Sequence, residues 1–463
     1  MKKIHKKLLI SILISCLLVT LFIVLRSFWY KPAVSITKRP APVAVPATPM
    51  VHTPEQFGAN GFDTKPDTTA LQKALNAGGI VQLQNHATYI IDRPLVSKQS
   101  IVIETKDYTQ APATILQQSE ETAFIFENKP IASTTVAKNV AYNKPYVVVK
   151  DATGMKEGDL LHLRSTKLWY WDNRGYLTKG ELHKITKIEG NIIYLDRTTQ
   201  ERYKVDLTET VTATAYPNSK LQIRNVSFAH PNPYNTVMMK VSYTSNAHFD
   251  KLSIKNSQRV GLLLNATFQS VVSQANVNLG TTKDITSGYG IQDYGGSETL
   301  ITDSTFMRVR RGVDFSGDTP SRYGTVRHSK AYGYKDGVLA SGNSGFGTHS
   351  TAEHITFENN YVENFSYGFV TRGTYITIKN NIHTGFSRSF VATSYGNHVN
   401  LLNNTYKSRY NSSLENFVVL LDSYRGDMIA SGNTVENIKG PFIKGNAAQL
   451  DKTTITDNNI KTR

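Results

Sequence analysis

Two stretches concentrate side chains able to do acid–base work on an anionic substrate: MRVRRGVDFSGDTPSRYG (307–324) and GFGTHSTAEHITFENN (345–360). Together they carry Arg308, Arg310, Arg311, Asp314, Asp318, Arg322, Tyr323, His349 and Glu353. This mixture suits removal of a proton from the carbon beside a sugar carboxylate. That reaction needs a cation to neutralise the carboxylate, a base to take the proton, and an acid for the leaving oxygen or the opposite face. Arg311 or Arg322 fits the first task by forked bonding. His349 fits the second, because its pKa lies near neutrality. Tyr323 fits the third. A hydrolase would instead place two carboxylates across the bond, drawn from Asp314, Asp318, Glu353 and Asp293. The plainer alternatives are a turn histidine beside Gly347 and a solvated basic face.

A second set would hold sugar rather than react with it. Asp293, Asp318, Asp336 and Arg310 are the polar members. Trp169 and Trp171 flank Tyr170 in a turn-like segment, and the only other tryptophan is Trp29. Such a cluster could stack on sugar rings or pack one part of the chain on another. No metal ligand set is assigned. The one cysteine, Cys16, excludes a zinc site of Cys type. Calcium is compatible with the sequence, but nothing in it requires a cofactor.

Side chains this far apart in sequence need a scaffold that stacks them. The C-terminal half repeats a short alternating strand followed by Asn or a small polar residue: LITDSTF (300–306), TVRHSKA (325–331), ITFENNYV (355–362), ITIKNNIH (376–383), VNLLNNTY (399–406), IASGNTV (429–435) and TITDNNI (454–460). The step suits one coil of a solenoid and is too short for a propeller blade. The expected fold is an all-β, single-stranded right-handed parallel β-helix with inward ladders of Ile, Val, Leu and Phe. Aligning coils on Ser304, Ser329, Asn360, Asn381, Asn404 and Asn433 predicts three columns. Eleven residues earlier lie Asp293, Asp318, His349 and Val370. Seven earlier lie Ser297, Arg322, Glu353, Thr374 and Asn397. Seven later lie Arg311, Asp336, Tyr367 and Arg388.

The solenoid begins with VHTPEQFGANGFDTKPDTTALQKALNAGGIVQLQNHATYIIDRPL from Val51. Ala70, Leu71, Ala74 and Leu75 have helical spacing, Asp67 or Thr68 can cap the helix, and Gly78-Gly79 ends it. This opening resembles the start of the pectate-lyase-superfamily β-helix proteins, with their rhamnogalacturonase-like, epimerase-like and tailspike-like members. The resemblance implies that the helix caps the open end of the solenoid. FGTHSTAEHITFEN (346–359) resembles a segment of the tailspike-like branch in which such a histidine lies in the groove. Missing are the paired-Asp and Gly-His-Gly elements of polygalacturonase-like hydrolases, the DPH element of mannuronan epimerases and the calcium-binding acidic cluster of pectate lyases. Lyase or epimerase, hydrolase and non-catalytic glycan binder therefore all stay open, with an anionic polysaccharide as the expected partner. Homotrimers are frequent in that family, so a homotrimer is an expectation of the resemblance alone.

The remaining parts concern location. Residues 8–25 form an 18-residue apolar run after Lys2, Lys3, Lys6 and Lys7, followed by Phe28, Trp29 and Tyr30. The pattern reads as an uncleaved transmembrane signal anchor. Leu13-Ile14-Ser15-Cys16 looks like a lipoprotein box, but the apolar run continues past Cys16. Residues 1–7 then form a cytoplasmic basic tail, 26–50 a Pro-rich linker and 51–463 the β-helix, with a β insertion at 146–203 bearing the tryptophans. The chain is expected at a bacterial membrane, facing the periplasm or cell surface. Of the formal charge of +16, half lies in residues 1–50, and residues 51–463 hold 44 basic against 36 acidic groups. That modest excess would favour an anionic polymer. No Lys/Arg block follows residue 50, which argues against nucleic acid.

Overall fold

The computed structural model describes residues 50–169, 177–281, 287–334, 343–409 and 415–461. The anchor, the linker up to Pro49, Cys16, Trp171 and Asp336 lie outside the described residues. Among those described, no helix is long and apolar enough to cross a membrane.

Short strands wind into a parallel solenoid whose coils present three faces, distributed over a 24-stranded and a 12-stranded sheet. One face stacks Tyr289–Tyr294, Arg311–Ser316 and Ser344–Thr348 in parallel register. A second stacks Leu300–Thr302, Thr325–Arg327 and Thr356–Glu358. The third stacks Thr305–Met307, Lys330–Tyr332 and Tyr361–Glu363. Alternation along each strand turns side chains inward at every second position. The first face contributes the buried column Ile291, Val313, Phe346, Phe369 and Val391. The second contributes Ile301, Val326, Phe357, Ile378 and Leu401. Truncating a ring such as Phe346 to Ala would remove about 3–5 kcal/mol. The helix Thr68–Ala77 buries Ala70, Leu71, Ala74 and Leu75 over the N-terminal coils, which keeps water from the first coil's interior.

The corner after the second face works with two residues per coil. Asp303, His328, Asn359, Asn380 and Asn403 take positive φ. The residue after each turns inward and bonds along the stack. Ser329 N–H donates to Asn360 Oδ1 at 2.9 Å, Asn360 N–H to Asn381 Oδ1 at 2.8 Å, Asn381 N–H to Asn404 Oδ1 and Asn404 N–H to Asn433 Oδ1, both at 2.9 Å. The left-handed turn and the ladder thus belong to neighbouring residues, not to one asparagine. The preceding corner places Tyr323, His354, Tyr375 and His398 at positive φ. Their rings stack at 5.1, 4.8 and 4.8 Å, within 6° of parallel. Stacking and backbone bonds offset the roughly 1 kcal/mol cost of each left-handed non-glycine residue.

The third inward column runs Phe306, Ala331, Val362, His383, Tyr406 and Val435. His383 is fully buried, with its ring 5.4 Å from that of Tyr406. Burial pushes its pKa down from the ordinary 6.5 to about 3. The unfolded chain therefore binds this proton more readily, and stability falls as pH drops from 6.5 toward 3. His383→Leu is expected to move the acid midpoint of unfolding to lower pH, read by circular dichroism during acid titration. An unchanged midpoint would show that His383 does not govern acid unfolding.

A six-stranded antiparallel sheet leaves the solenoid after Glu127, runs from Ala132 to Tyr216 and has its own core around Val136, Leu163, Ile185, Ile193 and Tyr203. Parallel coils resume at Leu221–Arg224, which pairs back onto Ile101–Thr105.

Candidate active site on the solenoid flank

Glycine shapes the first face. Gly261, Gly290, Gly312, Gly345 and Gly368 stack coil upon coil. A Cβ on Gly290 would lie 2.5 Å from the Gly312 carbonyl oxygen and 2.6 Å from the Phe306 ring. The residue before three of these glycines forms an outward column of Tyr289, Arg311 and Ser344.

Next to that column Arg311, Asp314 and His349 form one network. Asp314 is fully buried. Arg311 donates to its Oδ1 and also, through Nε, to Ser344 Oγ at 3.0 Å. A Cβ on Gly347 would come within 3.2 Å of Arg311 Nε, so glycine there makes room for the guanidinium. Burial works to raise the Asp314 pKa, yet His349 and Arg311 together hold it well below the usual carboxylate range. The carboxylate is therefore ionised and accepts from His349 Nδ1 at 3.0 Å. This fixes the tautomer and leaves Nε2 with a lone pair. Burial lowers the His349 pKa and outweighs the pull of Asp314. The imidazole is neutral at neutral pH, and its side chain is still 26% exposed.

His349 lines a pocket of about 190 Å³ with Tyr289, Gln292, Tyr294, Ser350 and Leu177. Tyr289 meets His349 edge to face at 6.1 Å, and Arg310 donates to its hydroxyl at 3.2 Å. Gln292 Nε2 donates to Ser316 Oγ at 3.1 Å. Tyr294 donates to Asp318 Oδ1 at 2.5 Å, and Asp318 also faces Arg164 of the antiparallel sheet at 3.7 Å. Leu177 comes from the excursion, which bonds back through Thr178 N–H to the Asp318 carbonyl at 2.7 Å. The chemistry available is that of a neutral, oriented base beside a phenol and an arginine. Among the described residues no group of three or more His, Cys, Asp or Glu side chains could hold a metal.

The roles expected for Arg311, Arg322, Tyr323 and Asp293 need correction. Arg311 is buried and serves Asp314. Arg322 is buried beneath the antiparallel sheet. It donates through Nε to Glu353 at 2.7 Å, through Nη1 to the Gly180 carbonyl at 2.5 Å and through Nη2 to Glu201. With those donors committed it acts as a fastener and not as a substrate clamp. Tyr323 donates to Gln200 Oε1 at 2.6 Å and stacks on His354, so it too joins this seam. Burial pushes Glu201 up to about 7 despite Arg322. Asp293 faces inward. It accepts from Ser321 Oγ at 2.6 Å and Gly296 N–H at 2.9 Å, and burial pushes it up to about 6. It is a structural turn residue, not a sugar contact.

Of the three columns, the one seven residues before the corner is in register: Ser297, Arg322, Glu353, Thr374 and Asn397 pair in sequence. The other two slip. Asp293 pairs with Phe315 instead of Asp318, and Tyr367 with Ser389 instead of Arg388. Sequence reasoning missed Tyr289, Gln292 and Tyr294. Aligning coils on the recurrent glycine would have put Tyr289 beside Arg311.

Trp169 lies half-buried with its ring 5.8 Å from the Arg322 guanidinium. It therefore packs the seam. Trp169→Ala is expected to cost about 1–2 kcal/mol of stability, checked by urea unfolding, with earlier proteolytic cleavage in 132–216. Loss of polymer binding at unchanged stability would instead favour a stacking platform.

Fold and flank together define a right-handed parallel β-helix with a lateral polar pocket, in the pectate-lyase-like, tailspike-like architecture. The tailspike of Pseudomonas phage phi297 superposes with a TM-score of 0.71 at 15% identity, covering 89% of this chain and 75% of that one. The A-module of a mannuronan C-5 epimerase from Azotobacter vinelandii gives 0.56 at 12%, covering 89% and 95%. In sequence, the chain is 27% identical over 244 residues to a capsule K1-specific depolymerase of Klebsiella phage K64-1, covering 49% of this chain. It spans only 26% of that relative's length. No family model matches the chain.

Proposed function

We propose that this chain modifies an acidic polysaccharide by proton abstraction, as a lyase or an epimerase, at the His349 pocket. One observation carries the reading: a neutral histidine oriented by a buried, ionised aspartate at a partly open pocket. His349 Nε2 takes the proton from the carbon next to the sugar carboxylate. Arg310 supplies positive charge for that carboxylate, and the Tyr289 hydroxyl delivers a proton to the leaving glycosidic oxygen. In the lyase case the C–H and C–O bonds break and a C=C bond forms. A hydrolase would need a protonated carboxyl facing a second carboxylate. Asp314 is ionised and sealed between His349 and Arg311, which disfavours that route. The relatives named for depolymerase and epimerase activity support a polysaccharide substrate.

Residues 8–25 are proposed to anchor the protein in a bacterial membrane, with the β-helix outside the cytoplasm and 26–50 as spacer. The chemistry is tested by incubating the purified chain with a panel of uronate polymers. A lyase raises absorbance near 235 nm through its unsaturated product. An epimerase changes the uronate ratio without cleavage. New reducing ends with no chromophore would overturn proton abstraction in favour of hydrolysis.

A further inference from the structure

We propose that a second trough on the same face, C-terminal to His349, is a subsite for an anionic sugar residue of a chain lying along the solenoid axis. The proposal rests on the polysaccharide reading above. The trough encloses about 440 Å³ between Tyr367, Arg388, Glu415, Phe417 and Lys444. Its position follows from register. The outward column Tyr289, Arg311, Ser344 continues through Tyr367 and Ser389 to Phe417. Phe417 is three coil steps beyond Ser344, about 14 Å at the ~4.8 Å spacing of adjacent strands. The neighbouring column runs Asp314, Gly347, Val370, Ala392, Leu420. After Asp314 that column carries no charge.

The trough's chemistry fits a sugar carboxylate. Arg388 is exposed and makes no ion pair among the described residues. Its fork can take a carboxylate by two parallel bonds. Lys444 lies 4.6 Å from the Phe417 ring centroid and pairs with Glu415 at 3.2 Å. Both partners of that pair are more than half exposed, so the pair is weak and can open. Tyr367 offers half-buried aromatic surface beside the cations. A positive, aromatic-edged trough in line with the catalytic pocket would grip a long acidic chain and hold its register over His349.

The test measures binding of alginate and of polygalacturonate by calorimetry, in a His349→Ala background that blocks turnover. Adding Arg388→Ala and Lys444→Ala is expected to weaken binding of the preferred polymer by roughly tenfold and to flatten its salt dependence. Lys73→Ala with Lys98→Ala removes the same charge near the capping helix and should leave affinity unchanged. Equal affinity with and without Arg388 and Lys444 would overturn the subsite, as would failure of the starting protein to bind either polymer. An equal loss in the Lys73/Lys98 control would also do so, by showing only a net-charge effect. The two readings fail separately: turnover that survives His349→Ala removes the mechanism and leaves the subsite standing.

Discussion

His349→Ala is expected to lower kcat on the uronate polymer by about 10²–10⁴-fold while leaving the fold intact. The size follows from the role. Among the described residues that line the pocket, His349 is the one neutral base, and Asp314 is ionised and sealed beneath the imidazole. The fold should survive, because the His349 side chain is 26% exposed and fills no inward ladder. Wild-type activity should follow the neutral form of His349. Its pKa is lowered by burial, so the acidic limb of kcat against pH falls below the ordinary histidine value, and turnover persists into mildly acidic solution. Steady-state rates at 235 nm across pH give both readouts. Full activity in the alanine variant, or an acidic limb above pH 6.5, would remove His349 from the chemistry.

Asn381→Ala is expected to destabilise the solenoid by roughly 3 kcal/mol. Asn381 is fully buried. Its Oδ1 accepts from the Asn360 backbone at 2.8 Å and the Asn360 side chain at 3.0 Å. Its Nδ2 donates to the Phe357 and Lys379 carbonyls at 2.9 and 3.0 Å and to Asn404 Oδ1 at 3.1 Å. Alanine would strand several buried groups at once, and each unmet bond costs more than a made bond contributes. Asn381→Asp should also be costly, because a carboxylate oxygen would face the Phe357 carbonyl. A shift in urea midpoint equivalent to less than 1 kcal/mol would show that the ladder is ornamental to stability.

How far the site was readable depended on loop length. The residues seven before each corner serine or asparagine sit on an uninterrupted path from one corner to the next. Counting along the chain therefore reproduced real neighbours, such as Arg322 beside Glu353. Eleven before or seven after, the path crosses turns of unequal length, and counting put Asp318 where Phe315 belongs. The glycine ladder was equally visible in the text, in Tyr289-Gly290, Arg311-Gly312 and Ser344-Gly345, and is the better ruler for the face that carries the pocket.

The amino-acid sequence alone determined the winding. Alternating strands closed by Asn specify inward apolar columns, a hydrogen-bonded corner and a helix over the first coil, because each of these depends on residues close together in the chain. Which polar residues face a substrate was decided only by the tertiary structure. Arg322, Tyr323 and Glu353 looked as reactive as Arg311, Asp314 and His349 until the antiparallel sheet folded back and tied the first group into a seam, with Arg322 buried. Local pattern governs where a strand turns. Exposure depends on what a distant segment covers, and no spacing along the chain encodes that.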